Sequence, residues 1–377
     1  MMQKLIEDIS YDELKHLIES YSANKIFLVS GKKSFELSGA KEFIELATKG
    51  KSIVRFSDFE QNPKYEQAVK GKKLFLDSNC DIIIAIGGGS VMDMAKLINI
   101  FAANPELDDL EIVKDSSKIQ NSGITLIALP TTAGTGSEAT HFAVVYHDSK
   151  KYSVTHPSLL PKVAGLNSEL TLSQPKYLTA CAGLDALSQA IESYWSVNAN
   201  EESQQYAEEA IVLLIQNLEK AVNRPEMFNR KQVMYGSFLA GKAINISKTT
   251  AAHAVSYAFT TYYTIPHGHA VFLTLPEFIE YNSRVTEKDM NDPRGYRYTI
   301  NSIKKICKIL KVDSAIEAKQ FLRQLAADIG VELSLIELGV VGYESKIVDN
   351  VNMERLGNNP RKIGRSGLLE LLASKTN

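Results

Sequence analysis

The sequence predicts two domains of different class: an α/β domain built on a parallel sheet over residues 1–168, then an all-α domain over residues 169–377. Three observations predict it. Short apolar runs alternate with helical patterns along the first part of the chain, the arrangement that yields a parallel sheet covered on both faces. A run of three glycines stands where one of those strands gives way to a helix. Beyond residue 167 strand signals become sparse and one helical pattern follows another.

The elements follow in order. Lys25–Ser30 (KIFLVS) reads as a buried strand, residues 35–48 as a helix and Ser52–Phe56 (SIVRF) as a second strand. A helix over 64–78 precedes a third strand, DIIIAI, at 81–86. Gly87-Gly88-Gly89-Ser90 comes next and opens a helix over 91–100. Such a turn is either merely tight or a phosphate cradle, since glycines let the backbone approach a pyrophosphate and the helix start offers free N–H groups. A strand at 125–129 runs into a polar loop, Pro130 to Ser137, at a strand's carboxyl end, where dinucleotides bind in such sheets. A hairpin at 143–145 and 152–155 and a last strand at 162–166 complete the domain. The segment before Lys25 reads as exposed and available for pairing between subunits, as in a homodimer.

The second half reads as helices over 176–196, 201–222, 230–246, 249–265, 301–309, 314–328 and 367–374. The fourth meets Pro266, which must end or kink it. Three of the seven histidines fall between His253 and His269. His253 and His267 reach one point only if the chain turns back after the helix, and a metal ion is one physical reason to arrange that. Upstream, Asp185 and Gln189 share a helical face at i and i+4. A carboxylate, an amide oxygen and two imidazoles make a mixed N/O ligand set for a divalent ion such as Fe(II) or Zn(II).

Composition narrows the function classes. At 377 residues, 44% hydrophobic and 23% charged, the chain has the make-up of a globular protein with room for two cores. A net charge of −2 argues against general nucleic-acid binding. Cys80, Cys181 and Cys307 are scattered, without CxxC spacing, so reduced thiols are expected rather than a disulfide framework. With no apolar leader and no run of about twenty apolar residues, a cytoplasmic protein is expected, without membrane partners.

Four motifs in order carry a resemblance: Gly87-Gly-Gly-Ser-Val-Met-Asp93-Met-Ala-Lys96, Pro130-Thr-Thr-Ala-Gly-Thr-Gly-Ser-Glu138, Gly183-Leu-Asp185-Ala-Leu, and His253 with Pro266-His267-Gly268. Together they resemble the iron-containing, metal-dependent alcohol dehydrogenase family. The resemblance implies a Rossmann-like domain followed by a helical one, and hydride transfer between a nicotinamide cofactor and a small aldehyde or alcohol. It implies cofactor contacts at Gly87, Gly88, Gly89, Ser90, Asp93, Thr131, Thr132, Thr135 and Lys151, and a metal at Asp185, Gln189, His253 and His267.

The sequence departs from that family in three places. Gln189 stands where a ligand histidine is usual, so either the amide is a weak fourth ligand or the metal is absent and His253 and His267 donate to substrate directly. Tyr257 stands where a second histidine is associated with proton transfer; its phenol either donates the proton or packs against substrate. Gly31 stands where family members that prefer NAD generally carry Asp, and with Lys32 and Lys33 alongside this favours NADPH, NADH being the alternative. Lys248-Thr249-Thr250 at the start of the His253 helix reads as an anion site, with Lys242 or Asn245 nearby, or else as lysines capping helices. Gln189, Tyr257 and this segment resemble the phosphonoacetaldehyde reductase branch, which implies phosphonoacetaldehyde as substrate and His267, Tyr257 and Lys248 as catalytic. The alternatives are a general short-chain alcohol dehydrogenase, a lactaldehyde or glycerol type, a dehydroquinate-synthase-like lyase, and a catalytically inactive dinucleotide-binding protein.

Overall fold

The computed structural model describes residues 3–148, 150–340, 342 and 344–373, and the chain divides into two compact units, Met1–Gln174 and Pro175–Asn377. In the first, six strands run parallel in the order β1-β8-β5-β4-β2-β3. They are β1 (Lys4–Ile6), β2 (Lys25–Ser30), β3 (Ser52–Phe56), β4 (Ile82–Gly87), β5 (Leu126–Pro130) and β8 (Val163–Gly165). β6 (Phe142–His147) and β7 (Lys150–Thr155) form a separate antiparallel hairpin. Every residue of β4 and β5 is buried, which is why these strands read as unbroken apolar runs rather than alternating ones. Successive side chains feed opposite faces: Phe27, Val29, Ile83 and Ala85 enter one apolar cluster, and Ile26, Leu28, Ile82 and Ile84 the other.

Three features of this unit differ from expectation. The helix expected over 35–48 is two, Lys33–Leu37 and Ala40–Ala47, because Gly39 adopts φ 78°, a left-handed conformation that glycine reaches without Cβ strain. The segment before Lys25 is folded in rather than exposed: β1 pairs with β8, and the Tyr11–Ser20 helix buries Leu14, Leu17 and Ile18. That helix was legible, since Ser10 and Glu13 form a reciprocal capping box at its start. The units divide after Gln174 rather than after Ser168, because Leu170 in the turn at Ser168–Thr171 packs into the sheet's own core.

The second unit has helices and loops but no strand among its described residues, with one isolated bridge between Met290 and Arg361. Lys176–Trp195 is buried along most of its length and packs with Glu201–Asn223 and Met227–Ser247. Ala251–Tyr263, Tyr296–Ile309, Ala315–Asp328 and Arg365–Ala373 follow. The last residue of the final expected helix, Ser374, lies outside the described residues. Short helices at His267–Phe272, Leu275–Ser283, Glu344–Val348 and Met353–Leu356 were not anticipated. The helix expected to run to Pro266 ends at Tyr263, where Thr264 turns left-handed, and Pro266 stands at the N-cap of the next helix, a proline role that a breaker rule alone misses. All three cysteines are buried and unpaired. No helix among the described residues is long and apolar enough to cross a membrane.

Candidate active site

In the sheet unit the glycine turn follows β4. The Gly89–Ala103 helix begins after Gly88, which supplies no side-chain cap; Val91 N and Met92 N turn back to Gly88 O, and the N–H groups of Gly89 and Ser90 before them suit an anion. Thr131 N donates to Gly87 O at 2.9 Å, tying the loop after β5 to the turn. A Cβ placed on Gly88 would meet Thr132 at 3.4 Å, and one on Gly89 would meet Thr135 at 2.8 Å. Gly87, Gly88, Gly89, Ser90, Thr131, Thr132 and Thr135 are therefore brought together. Lys151 lies on β7 opposite Tyr146.

Asp93 has a different task from the cofactor contact expected of it. Its two carboxylate oxygens accept from Ser137 Oγ at 2.8 Å and from Val144 N at 3.1 Å. Lys96 is buried beside it and donates to the carbonyls of Ser137, Thr140 and Phe142. Burial pulls the Lys96 ammonium down to about 8, against the opposing charges of Asp93 and Glu138. The two residues brace the polar loop and the β6–β7 hairpin.

Gly31 follows β2, and its carbonyl accepts from Arg55 Nη2 at 2.8 Å. Lys32 points elsewhere, pairing with Asp58 at 3.0 Å in solvent.

In the helical unit Asp185, His253 and His267 converge, with one ligand atom from each within 4.8 Å of the others. The chain turns back as the His-rich stretch requires: Thr264 takes φ 54° after the Ala251–Tyr263 helix, and His267 opens the next one. The approach depends on Gly268, where a Cβ would lie 1.9 Å from Cys181 O and 2.8 Å from Asp185 Cβ. Asp185 Oδ1 lies 3.4 Å from His253 Nε2 and 4.0 Å from His267 Nε2, and it is buried without a hydrogen-bond donor. Gln189 is buried one turn along the same helix. The Tyr257 ring stacks on His267 with centroids 6.0 Å apart and planes 8° from parallel. His269 is occupied structurally, by Tyr177 Oη at 2.8 Å and the Glu332 carbonyl at 2.5 Å.

Glu192 is the residue that sequence reasoning missed. Fully buried, it accepts from Thr250 Oγ1 at 2.8 Å, Ala252 N at 2.8 Å, His253 N at 3.3 Å and the His253 ring at Nδ1. An ionised carboxylate only accepts, so Nδ1 carries a proton and Nε2 is the nitrogen turned to Asp185. Its signal was present: Asp185, Gln189 and Glu192 stand at i, i+4 and i+7, one helical face. Burial alone would lower the His253 pKa, but Glu192 and Asp185 together carry it up to about 10. Two buried carboxylates on either side of one imidazole give the site a negative field that favours positive charge. With an orphaned carboxylate oxygen and two imidazoles facing it, the donor set fits a divalent cation.

Glu192 also corrects the anion site expected at Lys248, Thr249 and Thr250. The free N–H groups at the start of the Ala251–Tyr263 helix are filled from within by the Glu192 carboxylate. Thr250 spends its hydroxyl on Glu192 and on Trp195 Nε1, and Lys242 lies over the Tyr206 ring at 5.2 Å. Lys248 pairs with the exposed Glu354 at 3.3 Å.

The chain matches two family models end to end, iron-containing alcohol dehydrogenase over residues 4–168 and the C-terminal part of the Fe-containing alcohol dehydrogenase family over residues 179–376. It is 32% identical to long-chain-alcohol dehydrogenase 1 of Geobacillus thermodenitrificans, over 82% of this chain and 78% of that one. It is 30% identical to phosphonoacetaldehyde reductase of Streptomyces viridochromogenes, over 78% and 76% respectively. Among solved structures, sulfoacetaldehyde reductase from Bifidobacterium kashiwanohense in complex with NAD+ superposes with a TM-score of 0.85 at 27% identity, covering 100% of this chain and 99% of that one. The chain belongs to the iron-containing alcohol dehydrogenase family, and it is an oxidoreductase acting on CH–OH groups.

Proposed function

We propose that this protein reduces a small aldehyde to a primary alcohol in the cytoplasm, with NADPH as hydride donor and a divalent metal at Asp185, Gln189, His253 and His267. The observation that carries the reading is the meeting of a buried, donorless carboxylate oxygen with two imidazole nitrogens. The ion, Fe(II) or Zn(II), supplies Lewis acidity toward a carbonyl oxygen when bound. Glu192 holds His253 in the tautomer that leaves Nε2 for the cation, and Gly268 lets His267 reach it. The uncapped turn at Gly87–Gly89 receives the pyrophosphate, with Thr131, Thr132, Thr135 and Lys151 around it. Hydride passes from the nicotinamide to the carbonyl carbon, NADPH becoming NADP+. The Tyr257 phenol, stacked beside His267, supplies the proton that the product oxygen takes up.

The finer reading is phosphonoacetaldehyde, reduced to 2-hydroxyethylphosphonate. Support comes from the Streptomyces phosphonoacetaldehyde reductase and from the sulfoacetaldehyde reductase, whose names both give a two-carbon aldehyde bearing an oxyanion. With the helix start filled by Glu192, the cation for that oxyanion is Lys248, whose exposed pair with Glu354 is worth roughly 0–1 kcal/mol and is readily exchanged. After anaerobic loading with Fe(II) or Zn(II), NADPH oxidation should be more efficient with phosphonoacetaldehyde than with an uncharged aldehyde of equal length. Equal efficiency removes the phosphonate, and metal analysis finding no stoichiometric divalent ion removes the metal.

A further inference from the structure

We propose that Arg55, with the Ser34 hydroxyl beside it, reads the 2′-phosphate of NADPH, and that Lys32 is subordinate. This rests on the NADPH reading above and names the group that decides it. β4, β2 and β3 are consecutive neighbours, with Ser30 opposite Ile86 and Arg55 opposite Leu28. The phosphate turn leaves β4 at Gly87, so the carboxyl ends of β2 and β3 lie one and two strand spacings away. At about 4.8 Å per spacing and about 3.3 Å per residue, the end of β3, which stands level with Ala85, is roughly 12 Å from the turn, and the long Arg55 side chain reaches back to Gly31 over that gap.

The residues at that position have the chemistry of a dianion site. An acidic side chain in this part of a dinucleotide fold accepts from the ribose 2′-hydroxyl, and an arginine accommodates a 2′-phosphate. Gly31 supplies no acid. A Cβ on it would stand 2.2 Å from Ser34 Oγ, so a hydroxyl donor already occupies the space beside it. The Arg55 guanidinium is held at three points: Nε donates to Ser30 Oγ at 2.7 Å, Nη2 to Gly31 O at 2.8 Å, and Cζ lies 4.2 Å from the centroid of the Phe35 ring. Two of its five N–H donors are thus used for positioning, on a residue that is exposed. No carboxylate neutralises it among the described residues. A planar, pre-oriented fork is the better phosphate ligand. Lys32 is the weaker candidate because Asp58 takes its charge, and takes that of Lys70 as well.

The test is the ratio of dissociation constants for NADPH and NADH, read by fluorescence titration, in the full chain and in Arg55→Leu, Arg55→Lys and Lys32→Ala. We expect the native chain to favour NADPH, Arg55→Leu to shift the ratio toward NADH by roughly tenfold or more, Arg55→Lys to shift it part of the way, and Lys32→Ala to shift it less than either. A native preference for NADPH that survives Arg55→Leu overturns the role of Arg55 and leaves the NADPH reading standing. A native preference for NADH overturns that reading and the role of Arg55 with it. Should Arg55→Leu lose both cofactors through misfolding, Arg55→Lys decides by the same ratio.

Discussion

Two helix starts in this molecule look alike in sequence and are used in opposite ways. The Gly89–Ala103 helix follows small residues and begins uncapped, its N–H groups open. The Ala251–Tyr263 helix also follows small polar residues, yet its first N–H groups are filled by Glu192. Both ends attract negative charge for the same reason. In one, the charge is left for a ligand to bring. In the other, the protein brings its own, and the same carboxylate then orients a histidine. An anion site at a helix start is therefore decided by what packs against it.

The largest expected effect falls on the metal ligands that gather beside the filled end. His267→Ala should abolish stoichiometric metal binding and lower aldehyde-dependent NADPH oxidation by roughly a thousandfold, since the Lewis acid is worth several kcal/mol; metal analysis beside the turnover assay checks both. Tyr257→Phe should lower turnover by roughly a hundredfold, the usual worth of a positioned acid, and an unchanged rate takes the phenol out of the chemistry. Glu192→Gln keeps an acceptor but removes the charge, so metal affinity measured against a competing chelator should drop roughly 10–100-fold. Native affinity in that variant would mean that the filled end has no bearing on the metal. Gly89→Val tests the open end by adding a side chain where Thr135 already stands 2.8 Å from the Cβ position. NADPH affinity should weaken by about tenfold while metal content holds, which separates the two helix starts.

Much of the fold was legible. β2 and β3 fall on the residues that their apolar runs marked, and the glycine turn sits between a strand and a helix as its spacing implied. In the candidate site, the convergence of His253 and His267 followed from one proline that had to turn the chain. What was misread shares a cause. Asp93 follows the glycines and so reads as a cofactor contact, but it and Lys96 spend their polar atoms on Ser137, Thr140 and Val144 more than forty positions away. Arg55 gave no local sign at all, because its meaning comes from the neighbouring strand.

By itself the sequence determined which segments are strands and helices, which turn lacks side chains, and which residues have ligand chemistry. Those properties depend on neighbours within a few positions, through periodicity, Cβ sterics and capping. Only the tertiary structure decided that Glu192 plugs one helix start, that Gly268 must pass close to Cys181, and that Arg55 lies beside Gly31. Each is a contact between groups far apart along the chain, where one hydrogen bond or one missing methyl sets the outcome and no local pattern records it.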